Sequence, residues 1–231
     1  MKFLGKIQLP LGLLTLLALG AGLWLVIHAP ADFQQGDAVR ILYVHVPSAK
    51  MALFSYLFLT IVSILFLWRR TEIWDILAEA AVVVGAAFTF LTLASGSIWG
   101  KPMWGAWWAW DARLTSMLVL LILLMGLMAL RNALDNPVKA ARATAVLAII
   151  GAVDLPIIHF SVVWWRTLHQ PPSFAGPAKQ AITGELLPPL LAMSVAFMIM
   201  GAFLLILKSR EIAARRQLEA LETERLEQGH E

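Results

Sequence analysis

The chain has 231 residues, 60% of them hydrophobic and only 14% charged, with a formal net charge of +3. A soluble domain carries roughly 25% charged residues, so the composition excludes an ordinary globular enzyme and indicates an integral membrane protein. There are no cysteines, which excludes disulfides, iron–sulfur sites, thiolate metal ligands and a thiol nucleophile.

Six segments are apolar enough to span: residues 9–28, 49–68, 76–95, 113–130, 142–160 and 186–207. Each is close to the ~20 residues that a spanning helix needs. Backbone polar groups must be satisfied within lipid, so the expected fold is an all-α bundle of six transmembrane helices. The alternation of a β-barrel is absent.

The first segment follows Lys2 and Lys6 and ends at His28, read as an ordinary interfacial residue. Ala29-Pro30-Ala31 imitates a signal-cleavage site. The apolar run, however, exceeds the ~7–15 residues of a signal h-region, so the segment reads as a retained helix.

Before the second span lies Tyr43-Val-His45-Val-Pro47-Ser48. Val46 precedes a proline and is expected to be extended. Ser48 is expected to cap the helix that follows. Both features would hold His45 on a stiff turn above a helix start.

The third span leads into Gly96–Arg113, where Trp99, Trp104, Trp107, Trp108 and Trp110 fall within twelve residues. Interfacial anchoring uses a few Trp, and five in one loop is more than anchoring needs. Gly100-Lys-Pro102 is expected to break the chain. Beyond it, Trp104, Trp107, Trp108 and Asp111 stand at i, i+3, i+4 and i+7. That spacing predicts a short interfacial helix with these residues on one face and Trp110 pointing elsewhere. Asp111 is placed to cap the fourth span and to meet its positive dipole.

The fifth span carries Asp154-Leu-Pro156 and His159. An intramembrane acid beside a helix-breaking proline marks a functional site by default, and Glu79 could add to it. The plainer reading makes Asp154 a bundle-facing residue paired with a neighbour, and His159 a structural polar residue. Next comes Trp164-Trp165-Arg166-Thr-Leu-His169-Gln-Pro171-Pro172, a second Trp-rich stretch with a histidine. After Lys208 the chain turns charged and helix-forming, with Glu211 and Arg215 spaced as an i,i+4 pair. We read one membrane domain over 1–208, containing the Trp-rich segment 96–113, and a charged tail over 209–231. The tail reads as a solvated helix, with docking of a partner as the sharper alternative.

With the N-terminus inside, twelve Lys and Arg fall on the inner side and six on the outer. Positive-inside bias therefore puts both termini in the cytoplasm. The outer loops are then the elaborate ones, rich in Pro, Gly, aromatics and His, and such loops tend to carry function. His45, His169 and an aromatic platform on one side suit haem. Haem is a flat apolar macrocycle whose iron takes an axial imidazole on each face, while its propionates stay polar. Trp rings can stack on it, and Arg113, Lys101 or Arg166 could meet the propionates. Two histidines without further ligands make a poor closed zinc site.

Trp104-Gly-Ala-Trp107-Trp108-Ala-Trp110-Asp111-Ala-Arg113 resembles the tryptophan-rich signature of the WWD haem-handling membrane proteins. Along nearly its whole length the chain is similar to the haem exporter protein C family of cytochrome c maturation. Tyr43-Val-His45-Val-Pro47, Gly100-Lys-Pro-Met-Trp104-Gly, Asp111-Ala-Arg113-Leu-Thr, Pro156-Ile-Ile-His159-Phe-Ser and Thr167-Leu-His169-Gln-Pro171 occur in that family's order. The chain departs from the family at Val163, where relatives often carry an acid, and at Arg166, where they often carry Asn.

The resemblance implies a multi-pass protein of the bacterial inner membrane, surrounded by lipid and without a nucleic-acid partner. It implies haem b bound at the periplasmic face. His45 and His169 would be the axial ligands and thus the only metal contacts. Trp104, Trp107, Trp108, Trp110 and Asp111 would form the platform, with Arg113 as a propionate contact. Haem would pass to a periplasmic chaperone, haem exporter protein E, and an ATP-binding-cassette complex of proteins A and B with the small protein D would release the loaded chaperone. No Gly-rich nucleotide loop occurs here, so this chain is expected to hold and hand over haem rather than to hydrolyse ATP. The alternative is a small-molecule permease with its polar site at Asp154. A third possibility is an assembly scaffold whose tryptophans only anchor.

Overall fold

The computed structural model describes residues 2–165, 169 and 184–228. Seven α-helices are found among them: α1 (Lys2–His28), α2 (Leu42–Arg69), α3 (Glu72–Trp104), α4 (Ala112–Asn132), α5 (Pro137–Gly151), α6 (Asp154–Trp164) and α7 (Leu187–Gln228). Short 3-10 turns cover Asp37–Ile41 and Gly184–Leu186. Six stretches are long and apolar enough to cross a membrane, with α5 and α6 together forming the fifth. The all-α, six-span expectation therefore holds. Arg166, Lys179 and His230 lie outside the described residues.

The α2–α3 pair forms the centre of the bundle, and α4 and α7 pack against it. Tyr43, Tyr56, Leu59, Leu120, Leu124, Leu127, Leu190 and Met193 are fully buried there. The first helix lies mainly along α7. Gly12 and Gly22 let the backbones approach, because a Cβ on Gly12 would stand 3.1 Å from Phe203 and one on Gly22 2.6 Å from Met193 Sδ. Small residues at helix contacts are how membrane helices gain packing when lipid removes the hydrophobic drive between them.

Four local expectations are corrected. The second helix starts at Leu42, not after Ser48, so His45 lies in its first turns and Val46 is helical. Tyr43, Pro47 and Ser48 are fully buried, and that packing overrides the extended preference of a residue before proline. Ser48 caps nothing; its hydroxyl donates to the Val44 carbonyl at 2.6 Å.

The third helix runs through Gly100-Lys-Pro102 to Trp104. It stops at Gly105, which is left-handed with φ 76° and whose N–H bonds to the Lys101 carbonyl. A glycine just past the last turn is the usual helix stop. Consequently the residues from Gly105 to Asp111 are not helical, and Trp104, Trp107, Trp108 and Asp111 do not share a helix face.

The fifth span is broken at Gly151-Ala152-Val153 into α5 and α6. The Ala152 and Val153 amides bond three residues back, to Ile149 and Ile150. That frees the Ala148 carbonyl, which accepts from the Tyr56 hydroxyl at 3.1 Å. The unpaired groups of a broken membrane helix must find such partners.

Lastly, the charged tail is helical as expected, and α7 runs as one helix to Gln228, about 63 Å in all, but the expected Glu211–Arg215 pair does not form. Its extension is held by ion pairs to other helices rather than by the i,i+4 pair expected. Glu211 pairs with Lys208 instead. Arg215 bonds Glu79 at 2.5 Å, and Arg216 bonds Asp75 at 2.8 Å and Glu79 at 2.7 Å. Arg131 of α4 closes the cluster with a bidentate grip on Asp75 at 2.8 and 2.7 Å. Glu79 is thereby committed to ion pairs at the bundle end opposite His45.

Candidate functional site

At the other end of the bundle, contacts between distant elements draw the histidines and tryptophans together. Arg40 donates to the Ile27 and Ala29 carbonyls at 3.0 and 3.2 Å, tying the first loop to the end of α1. In the same loop, Gln35 Oε1 accepts from Trp99 Nε1 of α3 at 3.1 Å. Trp99 in turn meets His45 edge-on at 5.7 Å between ring centroids.

His45 is held from α3. Its Nδ1 lies 3.1 Å from the Thr92 carbonyl and 3.2 Å from Ser95 Oγ. A carbonyl only accepts, so Nδ1 carries the proton and Nε2 keeps its lone pair. The ring occupies space left by Gly96, where a Cβ would fall 2.9 Å from His45 Cε1.

His169 is held from the loop before α4. Its Nδ1 is 2.9 Å from Asp111 Oδ2, while Asp111 Oδ1 caps α4 by accepting from the Leu114 amide at 2.8 Å. The capping role read from the sequence is present, and the second oxygen orients an imidazole. Here too the Nδ1–H donates, and Nε2 has no hydrogen bond among the described residues. Burial holds the His169 pKa below the ordinary imidazole value, although the Asp111 carboxylate works to raise it. The ring is therefore neutral near pH 7, the state a metal ligand needs. His45 and His169 lie close enough to interact electrostatically, and Arg113 acts on both.

The tryptophans divide. Trp104, at the end of α3, meets His169 edge-on at 5.0 Å. Trp108 is half-buried, meets Trp110 edge-on at 5.5 Å, and its indole nitrogen is buried without a hydrogen-bond partner among the described residues. Trp107 and Trp110 are exposed. The irregular segment is fixed by Lys101 Nζ on the Gly105 carbonyl at 3.1 Å and Ser97 Oγ on the Trp107 carbonyl at 2.7 Å. Arg113 is half-buried and donates to Ser161 Oγ and the His159 carbonyl, both at 3.3 Å, which joins α4 to α6.

Other expected residues stand apart. His28 turns back onto the Trp24 carbonyl of its own helix at 2.8 Å. The His159 ring is exposed against Phe160. Asp154 Oδ2 is buried with no hydrogen-bond partner among the described residues. No group of three or more His, Cys, Asp or Glu able to hold a bare metal ion occurs among those residues.

Sequence reasoning missed Thr92, Ser95, Gly96 and Gln35 as supports of the site. The one available signal was the run of small residues Ala94-Ser-Gly-Ser97 inside an apolar helix, where another element can approach closely.

The sequence pattern of the family described as "Heme exporter protein C" matches residues 1–224. A heme exporter protein C of Bradyrhizobium diazoefficiens is 45% identical over 208 residues, covering 90% of this chain and 79% of that one. One from Haemophilus influenzae is 41% identical over 210 residues, covering 90% and 85%. A "putative cytochrome c biosynthesis ccmC-like mitochondrial protein" of Marchantia polymorpha is 40% identical over 199 residues, covering 86% and 83%.

Proposed function

This chain belongs to the heme exporter protein C family of multi-pass, haem-handling membrane proteins, and we propose that it binds haem b at the periplasmic face of a bacterial inner membrane and passes it to a periplasmic haem chaperone, haem exporter protein E. His45 and His169 supply the axial nitrogens through Nε2. The observation that carries this reading is the matched pair of imidazoles from separate elements, each with Nδ1 engaged and Nε2 left as a donor.

The residues fit the ligand in two further respects. The Trp108 indole N–H is buried and lacks an acceptor among the described residues, and a propionate oxygen would supply one. The half-buried Arg113 guanidinium, which acts electrostatically on both His45 and His169, adds a cation beside the imidazoles. Trp104, Trp107 and Trp110 offer apolar faces to the macrocycle, and Asp111 holds His169. When bound, haem supplies the iron that the two imidazoles grip; the chain's own part is to position those rings, shield the macrocycle and release it.

Both termini and the 209–231 tail then lie in the cytoplasm. The partners are the ATP-binding-cassette proteins A and B, the small protein D and the chaperone. This chain acts as a haem-transfer chaperone and not as an ATPase.

The test is the absorption spectrum of the detergent-purified chain after haem addition. Wild type should give a six-coordinate bis-imidazole spectrum that His45→Ala and His169→Ala each weaken. A wild type with no such spectrum sinks the reading. A second reading, a permease, draws on Asp154 Oδ2, which is buried without a partner among the described residues beside the α5–α6 break. It requires haem-independent uptake abolished by Asp154→Ala.

A further inference from the structure

The two imidazoles rest on chemically different supports. His169 Nδ1–H is held by a carboxylate, Asp111 Oδ2, at 2.9 Å. His45 Nδ1–H is held by neutral oxygens, the Thr92 carbonyl at 3.1 Å and Ser95 Oγ at 3.2 Å. The Ser95 hydroxyl hydrogen is itself directed to the Leu91 carbonyl at 2.6 Å. A carboxylate draws the Nδ1 proton and leaves more electron density on Nε2, which strengthens that nitrogen as a metal donor. Charge-assisted hydrogen bonds are also about twice as strong as neutral ones.

The position of His45 is fixed by its helix. His45 is built into α2, with its ring wedged over Gly96 and against Trp99.

From these observations we infer that the ligands are inequivalent: His45 is the one whose bond to iron opens during hand-over, His169 is the one retained, and Asp111 sets the order as a positioning residue. This rests on the haem reading above. The step is a ligand exchange at constant iron oxidation state. The Fe–Nε2 bond to His45 breaks with its electron pair remaining on nitrogen, and an incoming donor nitrogen contributes the pair for the new bond. The Asp111–His169 proton stays in place throughout.

Carbon monoxide serves as the probe, because on ferrous bis-imidazole haem it displaces one axial nitrogen and its Fe–C stretch reports the one left opposite. Full-length protein in detergent, loaded with haem and reduced, is measured by resonance Raman as wild type, His45→Ala, His169→Ala and Asp111→Asn. Asparagine still caps a helix well, so the last variant removes the charge while α4 keeps its start.

The expected result is a wild-type Fe–C frequency that coincides with that of His45→Ala and differs from that of His169→Ala. Asp111→Asn should move the wild-type frequency and weaken haem binding about tenfold, the lower end of the usual loss for an outer support of a ligand. A wild type that matches His169→Ala overturns the order. So does a frequency that Asp111→Asn leaves unchanged, and that variant decides alone if a histidine variant fails to hold haem. Wild type without any bis-imidazole spectrum overturns the haem reading and this inference with it, whereas a bis-imidazole spectrum with the wrong ligand lost overturns only the inference.

Discussion

Replacing Gly96 with alanine should set two effects of opposite sign against each other. Alanine in a helix interior is favoured over glycine by about 1 kcal/mol, and Gly96 lies well inside α3. The added methyl would stand 2.9 Å from His45 Cε1 and 3.3 Å from Nδ1, while ordinary contact starts near 3.4 Å. The imidazole must therefore retreat by about half an ångström. Overpacking of this kind costs about 1–3 kcal/mol, so the net change in stability runs from none to about 2 kcal/mol lost. Binding should suffer more, because a ligand site tolerates only about 0.5 Å of misplacement. We expect haem affinity to fall at least about tenfold, comparable to loss of an outer-shell support.

Gly85→Ala is the control on the same helix. Its Cβ would meet Ser55 at 3.4 Å and Leu124 at 3.7 Å, which is ordinary contact. It should keep full haem affinity and gain up to about 1 kcal/mol. Absorbance titration with haem and thermal unfolding of the haem-free protein measure both quantities. Wild-type affinity in Gly96→Ala, or an equal loss in Gly85→Ala, would refute the idea that this contact positions His45.

Three other outcomes are expected. Asp75→Ala leaves Arg131 and Arg216, with side chains 17% and 22% exposed, with Glu79 as the carboxylate they still share. A buried charge left wholly uncompensated costs about 3–5 kcal/mol, and the remaining pairs to Glu79 reduce the loss here to about 1–2, so unfolding should shift down while the haem spectrum at the far end stays unchanged. In haem-free protein, NMR of the His169 ring should give a titration midpoint below 6.5. Asp111→Asn should lower it further, since the carboxylate is what raises it. The depressed value also fixes a sign: the stability due to this neutral ring is full above 6.5 and is lost as pH falls through the folded midpoint. Finally, Asp154→Asn removes a carboxylate oxygen that lacks a partner among the described residues. It should leave the unfolding temperature equal or higher and haem binding intact; a lowered temperature would mean that the carboxylate has a partner after all.

What could be read in the sequence was what depends on solvent or on near neighbours. The six spans were legible because lipid imposes their length and apolarity. The Asp111 cap was legible because its partner, Leu114, is three residues away. His45 and His169 were brought together by the side of the membrane that the charge bias gives their loops, with the axial role added by motif resemblance, and the spacing of the tryptophans pointed to a helix that does not form. Gly105 stops α3 with a left-handed turn, and the remaining tryptophans are placed by loop contacts.

Tertiary structure alone decided how the histidines are oriented and what braces the end of α7. His45 bonds to a carbonyl 47 residues away and His169 to a carboxylate 58 residues away. Arg216 reaches Asp75 across 141 residues, so the tail is braced by helices that its own sequence does not mention. The break between α5 and α6 likewise depends on a tyrosine 92 residues distant to satisfy the carbonyl it frees. Solvent and helix periodicity act on each segment by itself, and therefore the amino-acid order determined the spans and the residue types of the site. The direction of each donor nitrogen is set by whichever polar group the packed bundle brings beside it, and only the folded chain contains that information.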